Sequence, residues 1–264
     1  MNFFGQSSIK NTLSSTLSNI NNKTSVCFLF VGDSGSGKTH IAHEFLASIS
    51  GNFSIQNVAD NRSNEIKWDS VMDSLRGHLI DEVHLANNTP MLYEKIDSKK
   101  YIICLCTTDY GGLHKSLLTR CILLRLVPYT DFEIKQIILD YSNRQKLSLT
   151  IEAGKYIASL SRNNPRVAKS LVDLLRLNIP SGNMDYSLND YETIFSKSGV
   201  YRDGYTDFDI MYLDVLRNSG GIASLSTMAN TVNLDIDYIV KYIEPFLIKN
   251  GDIQITRKGR QLCK

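Results

Sequence analysis

The segment Gly32-Asp33-Ser34-Gly35-Ser36-Gly37-Lys38-Thr39 matches the spacing G-x-x-x-x-G-K-[ST] in full. Its chemistry is phosphate binding. Glycines let several backbone N–H groups turn toward one point, the helix that follows adds the positive end of its dipole, and the lysine reaches the β and γ phosphates. The threonine hydroxyl suits a Mg²⁺ ion. A second group, Leu79-Ile80-Asp81-Glu82, ends an apolar run in two acids. Asp81 is expected beside the metal ion, and Glu82 is placed to polarise a water for in-line attack on the γ phosphate. Cys106-Thr107-Thr108-Asp109 ends the next apolar run in hydroxyls that can orient such a water. Arg120 precedes a further run, where an arginine can point out of its own subunit into a neighbour's nucleotide. Arg166 follows Asn163-Asn164-Pro165 at a helix start. A cation there opposes the helix dipole, which a phosphate partner would offset.

These residues need a scaffold that delivers them to one edge. The run Val26 to Val31 reads as a buried strand and residues 39–50 as its crossover helix. Leu79 to Glu82, Tyr101 to Cys106 and Cys121 to Leu126 are further short apolar runs with polar residues at their ends. Strands alternating with helical stretches predict an α/β core with a parallel sheet, and such sheets bind ligands beyond the carboxyl ends of their strands. After Pro128 the apolar spacing becomes helical, in Asp131 to Leu139, Glu152 to Leu160 and Pro165 to Leu175. The expected organisation is therefore a nucleotide-binding core over 1–127, a helical domain over 128–180, a connecting region over 181–205 and a third unit over 206–264. That third unit reads as three short helices and a final strand pair around Asn250-Gly251-Asp252, with a hairpin carrying Arg257, Lys258 and Arg260. Clustered cations on a hairpin suit the phosphates of duplex DNA. Tyr238, Tyr242 and Phe246 recur every four residues, the spacing of a helical core.

Composition narrows the class. Lys and Arg total 29 against 27 Asp and Glu, a formal charge of +2, so any polyanion-binding surface must be local. The five cysteines lack C-x-x-C spacing, and three of them lie in apolar runs, which favours reduced thiols over a disulfide framework. Met1 to Lys10 has no charged start followed by an apolar core, and no apolar run approaches a membrane span. A cytoplasmic protein with no membrane partner is expected.

The order of phosphate loop, Asp-Glu, Thr, Thr-Arg-Cys and Pro-Arg resembles the clamp-loader branch of the AAA+ ATPases. Within that branch it is most similar to the RuvB family of Holliday-junction branch-migration motors. Phe3-Phe4-Gly5-Gln6 resembles the family's "F-I-G-Q", Ile80-Asp81-Glu82-Val83-His84 its "I-D-E-I-H", Cys106-Thr107-Thr108 its "A-T-T", and Asn164-Pro165-Arg166-Val167-Ala168 its "T-P-R-I-A". Tyr242-Ile243-Glu244-Pro245-Phe246-Leu247-Ile248-Lys249-Asn250-Gly251 and Thr256-Arg257-Lys258-Gly259-Arg260 are similar to its "Y-E-P-Y-L-I-x-x-G" helix and "R-T-P-R-G-R" wing. The resemblance implies an AAA+ P-loop core, a helical lid and a C-terminal winged-helix domain. It implies ATP and Mg²⁺, with Phe4 and Gly5 by the adenine, Thr107 as the sensor of the γ phosphate, Arg120 acting from the next subunit and Arg166 sensing nucleotide from the lid. It also implies a homo-oligomer, a hexameric ring in the family, acting on DNA in the cytoplasm of a bacterium or a phage host. Two departures stand out. Only Val83 to Tyr101 separate the Asp-Glu strand from the Thr strand, leaving no room for the hairpin on which RuvB docks its partner RuvA. Thr119-Arg120-Cys121 is closer to the clamp loaders' Ser-Arg-Cys than to RuvB's Asp-Arg-Phe. A clamp- or helicase-loading ATP switch is thus the rival reading, and a non-hydrolysing assembly scaffold a further one.

Overall fold

The structure is a computed structural model that describes residues 1–21, 24–49, 51–60, 62–179 and 186–263. Its described part divides into two compact units, residues 1–137 with 164–167, and residues 138–163 with 168–263.

The first unit is built on five parallel strands: β1 (Val26–Val31), β2 (Phe53–Asn57), β3 (Gly77–Asp81), β4 (Ile102–Thr107) and β5 (Ile122–Arg125), in the order β2-β3-β4-β1-β5. Phe28 pairs with Cys104 on one side of β1 and with Ile122 on the other, so both edges of β1 are paired, and a core lies on each of its faces. Its side chains alternate accordingly. Phe28 and Phe30 join one core with Ile41 and Phe45 of α2 (Lys38–Ala47), the rings of Phe28 and Phe45 meeting edge-on at 5.4 Å. Cys27 and Leu29 join the opposite core with Leu92 and Ile96 of α4 (Thr89–Asp97). This unit also holds α3 (Ser70–Ser74) and α5 (Lys115–Leu118).

Two elements of this unit were not expected from sequence. Helix α1 (Ser7–Asn19) is rich in Ser, Thr and Asn, residues that compete with helix formation by bonding nearby backbone. Here those hydroxyls bond back along the helix, Thr12 to the Ser8 carbonyl at 3.1 Å and Thr16 to that of Thr12 at 2.9 Å. Ile9 and Leu13, one turn apart, are buried in the first core, so tertiary packing overrides weak propensity. Strand β2 is an edge strand whose Ile55 remains exposed, which hides the usual alternation.

The second unit contains α7 (Ile151–Leu160), the later residues of α6 (Asp131–Arg144) and of α8 (Pro165–Asn178), and α9 (Leu188–Lys197). Helix α9 lies inside the stretch read as a connection. Ser187 and Asp190 form a reciprocal capping box at its start, and Phe195 is buried against Tyr156 of α7 at 6.2 Å. The Ser181-Gly182-Asn183 turn expected nearby lies outside the described residues. Then come α10 (Asp207–Asn218), β6 (Ile222–Ala223), α11 (Leu225–Val232), a helix running from α12 (Ile236–Tyr238) through a π-turn (Ile239–Ile243) into α13 (Glu244–Lys249), and the hairpin β7 (Ile253–Thr256) and β8 (Gly259–Leu262). The antiparallel order β6-β8-β7 and a shared core of Tyr212, Leu216, Met228, Ile239, Ile243 and Leu247 make this a winged helix. The strand pair is not centred on Asn250-Gly251-Asp252. Gly251, at φ 76°, closes the preceding helix, and the hairpin turns at Arg257 and Lys258. Among the described residues no helix is long and apolar enough to cross a membrane.

Candidate nucleotide site and the wing

Strand β1 stops at Val31 and α2 starts at Lys38, so residues 32–37 form the loop between them. Gly35 and Gly37 sit at φ 79° and 94°, conformations that favour glycine. A Cβ on Gly35 would also lie 2.5 Å from Asn164 Oδ1, and one on Gly32 would lie 3.1 Å from Ser36 Oγ. Lys38 is buried, its ammonium donating to the carbonyls of Gly32 at 2.8 Å and Asp33 at 2.9 Å. Burial lowers its pKa, while Glu82 and Asp81 act in the opposite direction. Ser36 Oγ is buried without a hydrogen-bond partner. A hydroxyl in that position suits the oxygens of a phosphate.

The acids meet the loop through hydrogen bonds. Thr39 Oγ1 donates to Asp81 Oδ2 at 2.7 Å, and the Glu82 backbone N–H donates to Asp81 Oδ1 at 3.0 Å. Glu82 itself is left-handed at φ 51°, an uncommon backbone for a glutamate and of the kind found at functional sites. Its Oε2 accepts from Thr108 Oγ1 at 3.1 Å and lies 3.3 Å from His84 Nδ1. Thr107 is placed differently from its neighbour. It is fully buried, its hydroxyl shared between His84 Nδ1 at 3.0 Å and the backbone of Asp109. The threonine that touches Glu82 is thus Thr108, and Thr107 reaches Glu82 only through His84. Neither Thr108 nor His84 was singled out from sequence; a second Thr after β4 and a His two residues beyond the acid were the available signals.

Arg166 also meets the loop, donating from Nη1 to Ser34 Oγ at 2.9 Å, while the Asn164 side chain donates to the Ser34 carbonyl at 2.8 Å. Asn164 is a further contact the sequence did not disclose. At the other side, Gly5 is left-handed, and a Cβ there would meet Glu133 Oε1 at 2.6 Å and Tyr129 at 3.1 Å. The buried Gln6 exchanges two hydrogen bonds with the backbone of Val127, at 2.7 and 3.0 Å, holding Phe4 and Gly5 in place. Tyr129 is buried, which raises its phenol to about 12, and its hydroxyl would be 3.3 Å from a Cβ on Gly37. Arg120 is not part of this array. Its guanidinium binds Asp97 through two nitrogens at 2.8–3.0 Å, donates to the Ser116 carbonyl at 2.9 Å and covers the Tyr93 ring at 5.1 Å. Arg120 in turn holds the Asp97 carboxyl below its usual range.

In the winged helix, Arg257 and Lys258 are exposed at the hairpin turn. Arg260 corrects the sequence reading. Its guanidinium pairs with Glu244 at 2.8 and 3.2 Å, and Glu244, almost wholly buried, also accepts from Tyr212 Oη at 2.9 Å. Side chains alternate along β8, and a buried carboxylate requires a cation, so this charge is spent inside the domain. Tyr238 and Tyr242 correct it too. They are 39% and 57% exposed, a tilted ring pair 5.1 Å apart with Phe208 6.0 Å from Tyr238, rather than packed in the core. Phe246 is half-buried, between Tyr205 at 5.2 Å and the Arg162 guanidinium at 3.7 Å. Helical spacing identifies a shared face and not which way that face points.

A phosphate loop after an inner parallel strand, paired acids on the next-but-one strand, a helix opened by Pro-Arg and a winged helix together define an AAA+ P-loop ATPase. Comparisons with known proteins narrow this. Residues 202–264 match the RuvB C-terminal winged helix domain. The chain is 29% identical over 262 residues to the Holliday junction branch migration complex subunit RuvB of Campylobacter fetus, covering 89% of this chain and 76% of that one. It is 32% identical over 169 residues to the subunit of the same name from Nitratiruptor, 63% of this chain and half of that one. The structure of the Thermotoga maritima RuvB Holliday junction branch migration motor superposes with a TM-score of 0.74 over 98% of this chain and 92% of that one, at 23% identity. The chain is a RuvB-like AAA+ ATPase.

Proposed function

We propose that this protein is an oligomeric motor that hydrolyses ATP to move DNA, driving branch migration of four-way junctions as its relatives' names state. The observation that carries the reading is the continuous array Thr39–Asp81–Glu82–Thr108 beside the loop bearing Lys38. Backbone N–H groups of residues 34–39 bind the β and γ phosphates, and Lys38 transfers its donors from loop carbonyls to phosphate oxygens. Thr39 Oγ1 and Asp81 would supply oxygen donors for Mg²⁺, which when bound offsets the negative charge of the phosphates. Glu82, steadied by Thr108 and His84, accepts the proton of the attacking water. Phe4 and Gly5 border the adenine, and Thr107 signals the state of the γ phosphate through His84. Arg166 reads the same phosphate from the start of α8, whose later residues belong to the second unit.

Arg120 completes the site of an adjacent subunit in a ring, hexameric as in the family, and Asp97 holds it until that neighbour's phosphate competes for it. Arg257 and Lys258 hold the backbone of duplex DNA, and Arg260 braces the wing that carries them. The segment between β3 and β4 is filled by a short 3₁₀ turn and α4, so docking of a RuvA-type partner by a hairpin there is not part of the proposal. The protein works in the cytoplasm of a bacterium or phage host. The test is turnover of ATP by the purified chain alone and with duplex, single-stranded and four-way-junction DNA, with junction resolution into two duplexes as the second readout. Stimulation by duplex or junction DNA and ATP-dependent resolution are expected; a turnover indifferent to every DNA would sink the motor.

A further inference from the structure

Five cysteines are present, and two of them meet across the sheet. Cys27 Sγ and Cys121 Sγ are 3.3 Å apart, both free thiols. The contact follows from register: β1 pairs with β5 in parallel with Phe28 opposite Ile122, and one step earlier Cys27 falls opposite Cys121. Neighbouring strands lie about 4.8 Å apart, inside the roughly 4.4–6.8 Å between Cα atoms that a disulfide spans. The two positions differ in access. Cys27 is buried, whereas Cys121 is half-buried at the turn that ends α5. Cys121 also directly follows Arg120, so whatever fixes its sulfur fixes the backbone that aims that guanidinium.

We propose that Cys27 and Cys121 are an oxidation site, a dithiol that a hydroperoxide closes to a disulfide, tethering the Arg120 turn to β1 and stopping ATP turnover. Cys121, the accessible thiol, attacks a peroxide oxygen; the O–O bond breaks, leaving a sulfenic acid on Cys121 and one water or alcohol. The Cys27 sulfur then displaces hydroxide from the Cys121 sulfur, which leaves as water with the Cys27 proton. Two thiols are oxidised by two electrons to one disulfide, and the peroxide is reduced. The hydrogen bond with Cys121, together with burial, pushes the Cys27 thiol up, which fits Cys27 as the resolving group behind the more accessible Cys121. The disulfide stands on geometry alone; its effect on turnover rests on the reading of Arg120 as a finger acting on the neighbouring subunit.

The experiment uses the full chain carrying Cys263→Ser, because the exposed Cys263 would otherwise link subunits to one another. After hydrogen peroxide, mass spectrometry of the unreduced digest reads the linkage and ATPase assays read the consequence. A peptide joining Cys27 to Cys121 is expected, lighter by two hydrogens than its reduced parts. Turnover should fall by about tenfold or more, recover with dithiothreitol, and be unaffected by peroxide in Cys121→Ser. Cys27→Ala, which removes the buried half, gives the same protection if it folds. Absence of the linked peptide would overturn the site. Linkage with unchanged turnover would overturn the switch. Full turnover in Arg120→Ala would instead overturn the finger reading, and the linked peptide would still establish the site.

Discussion

At the level of single residues, the two threonines at the end of β4 divide one job. Thr107 is enclosed and bonds His84, while Thr108 is the one in direct contact with Glu82. Glu82→Gln keeps the shape and removes the base, so turnover should fall by about 10²–10⁴ while nucleotide still binds. Thr108→Val should lower kcat less, by about tenfold, and leave the ATP affinity unchanged, measured by fluorescent-nucleotide titration. Equal and complete loss in both variants would mean that the hydroxyl, too, is essential to the chemical step. The loop and the two acids were legible because each is contiguous and its residue types have few other uses at that spacing. His84, Thr108, Gln6 and Asn164 were not, because their roles depend on pairings across 23 to 130 positions of sequence.

Among the elements, the wing shows two arginines three residues apart doing unlike work. Arg260→Ala would leave the buried Glu244 without its cation, and the cost is about 3–5 kcal/mol of stability in the winged helix. Arg257→Ala should leave stability unchanged, weaken DNA binding at every sequence, and reduce the salt slope by about one. Denaturant melts and binding isotherms at two salt concentrations separate the cases; a DNA-specific loss without destabilisation in Arg260→Ala would refute the bracing role. Strand β3 carries a pH signature as well. His78 is wholly buried, its Nδ1 2.7 Å from Ser54 Oγ, and desolvation lowers its pKa to about 4. The unfolded chain titrates near 6.5, so between these values it binds the extra proton and stability rises with pH. The contribution, roughly 3 kcal/mol at most, is complete above pH 6.5 and lost as pH falls toward 4. His78→Gln should flatten the stability profile across that window. A profile unchanged by the substitution would assign the slope to other groups.

For the whole molecule, one active site needs two chains if Arg120 acts outside its own. Glu82→Gln and Arg120→Ala should each be inactive alone. Mixed, they should regain activity, because roughly a quarter of interfaces in a random ring pair an intact acid with an intact arginine. No recovery on mixing would place Arg120 in its own chain's chemistry. The passage from strands to helices was readable from the change of hydrophobic period at Pro128, and the winged helix from the tail motifs. The helix α9 inside the supposed connection was not, because its signal is a capping box and two buried aromatics in an otherwise polar stretch.

The strand order holds one more consequence. β4 lies between β3, which carries Asp81 and Glu82, and β1, which leads into the phosphate loop. The distance from base to phosphate is therefore the width of one intervening strand, a spacer gauge set by the backbone ladders on either side of it. Cys104 and Cys106 fill that strand with small, wholly buried side chains. Side chains stand perpendicular to the sheet, so a bulkier residue at either position would leave that gauge unchanged and press instead on the packed core beside it, lowering stability at a site that no nucleotide ever meets.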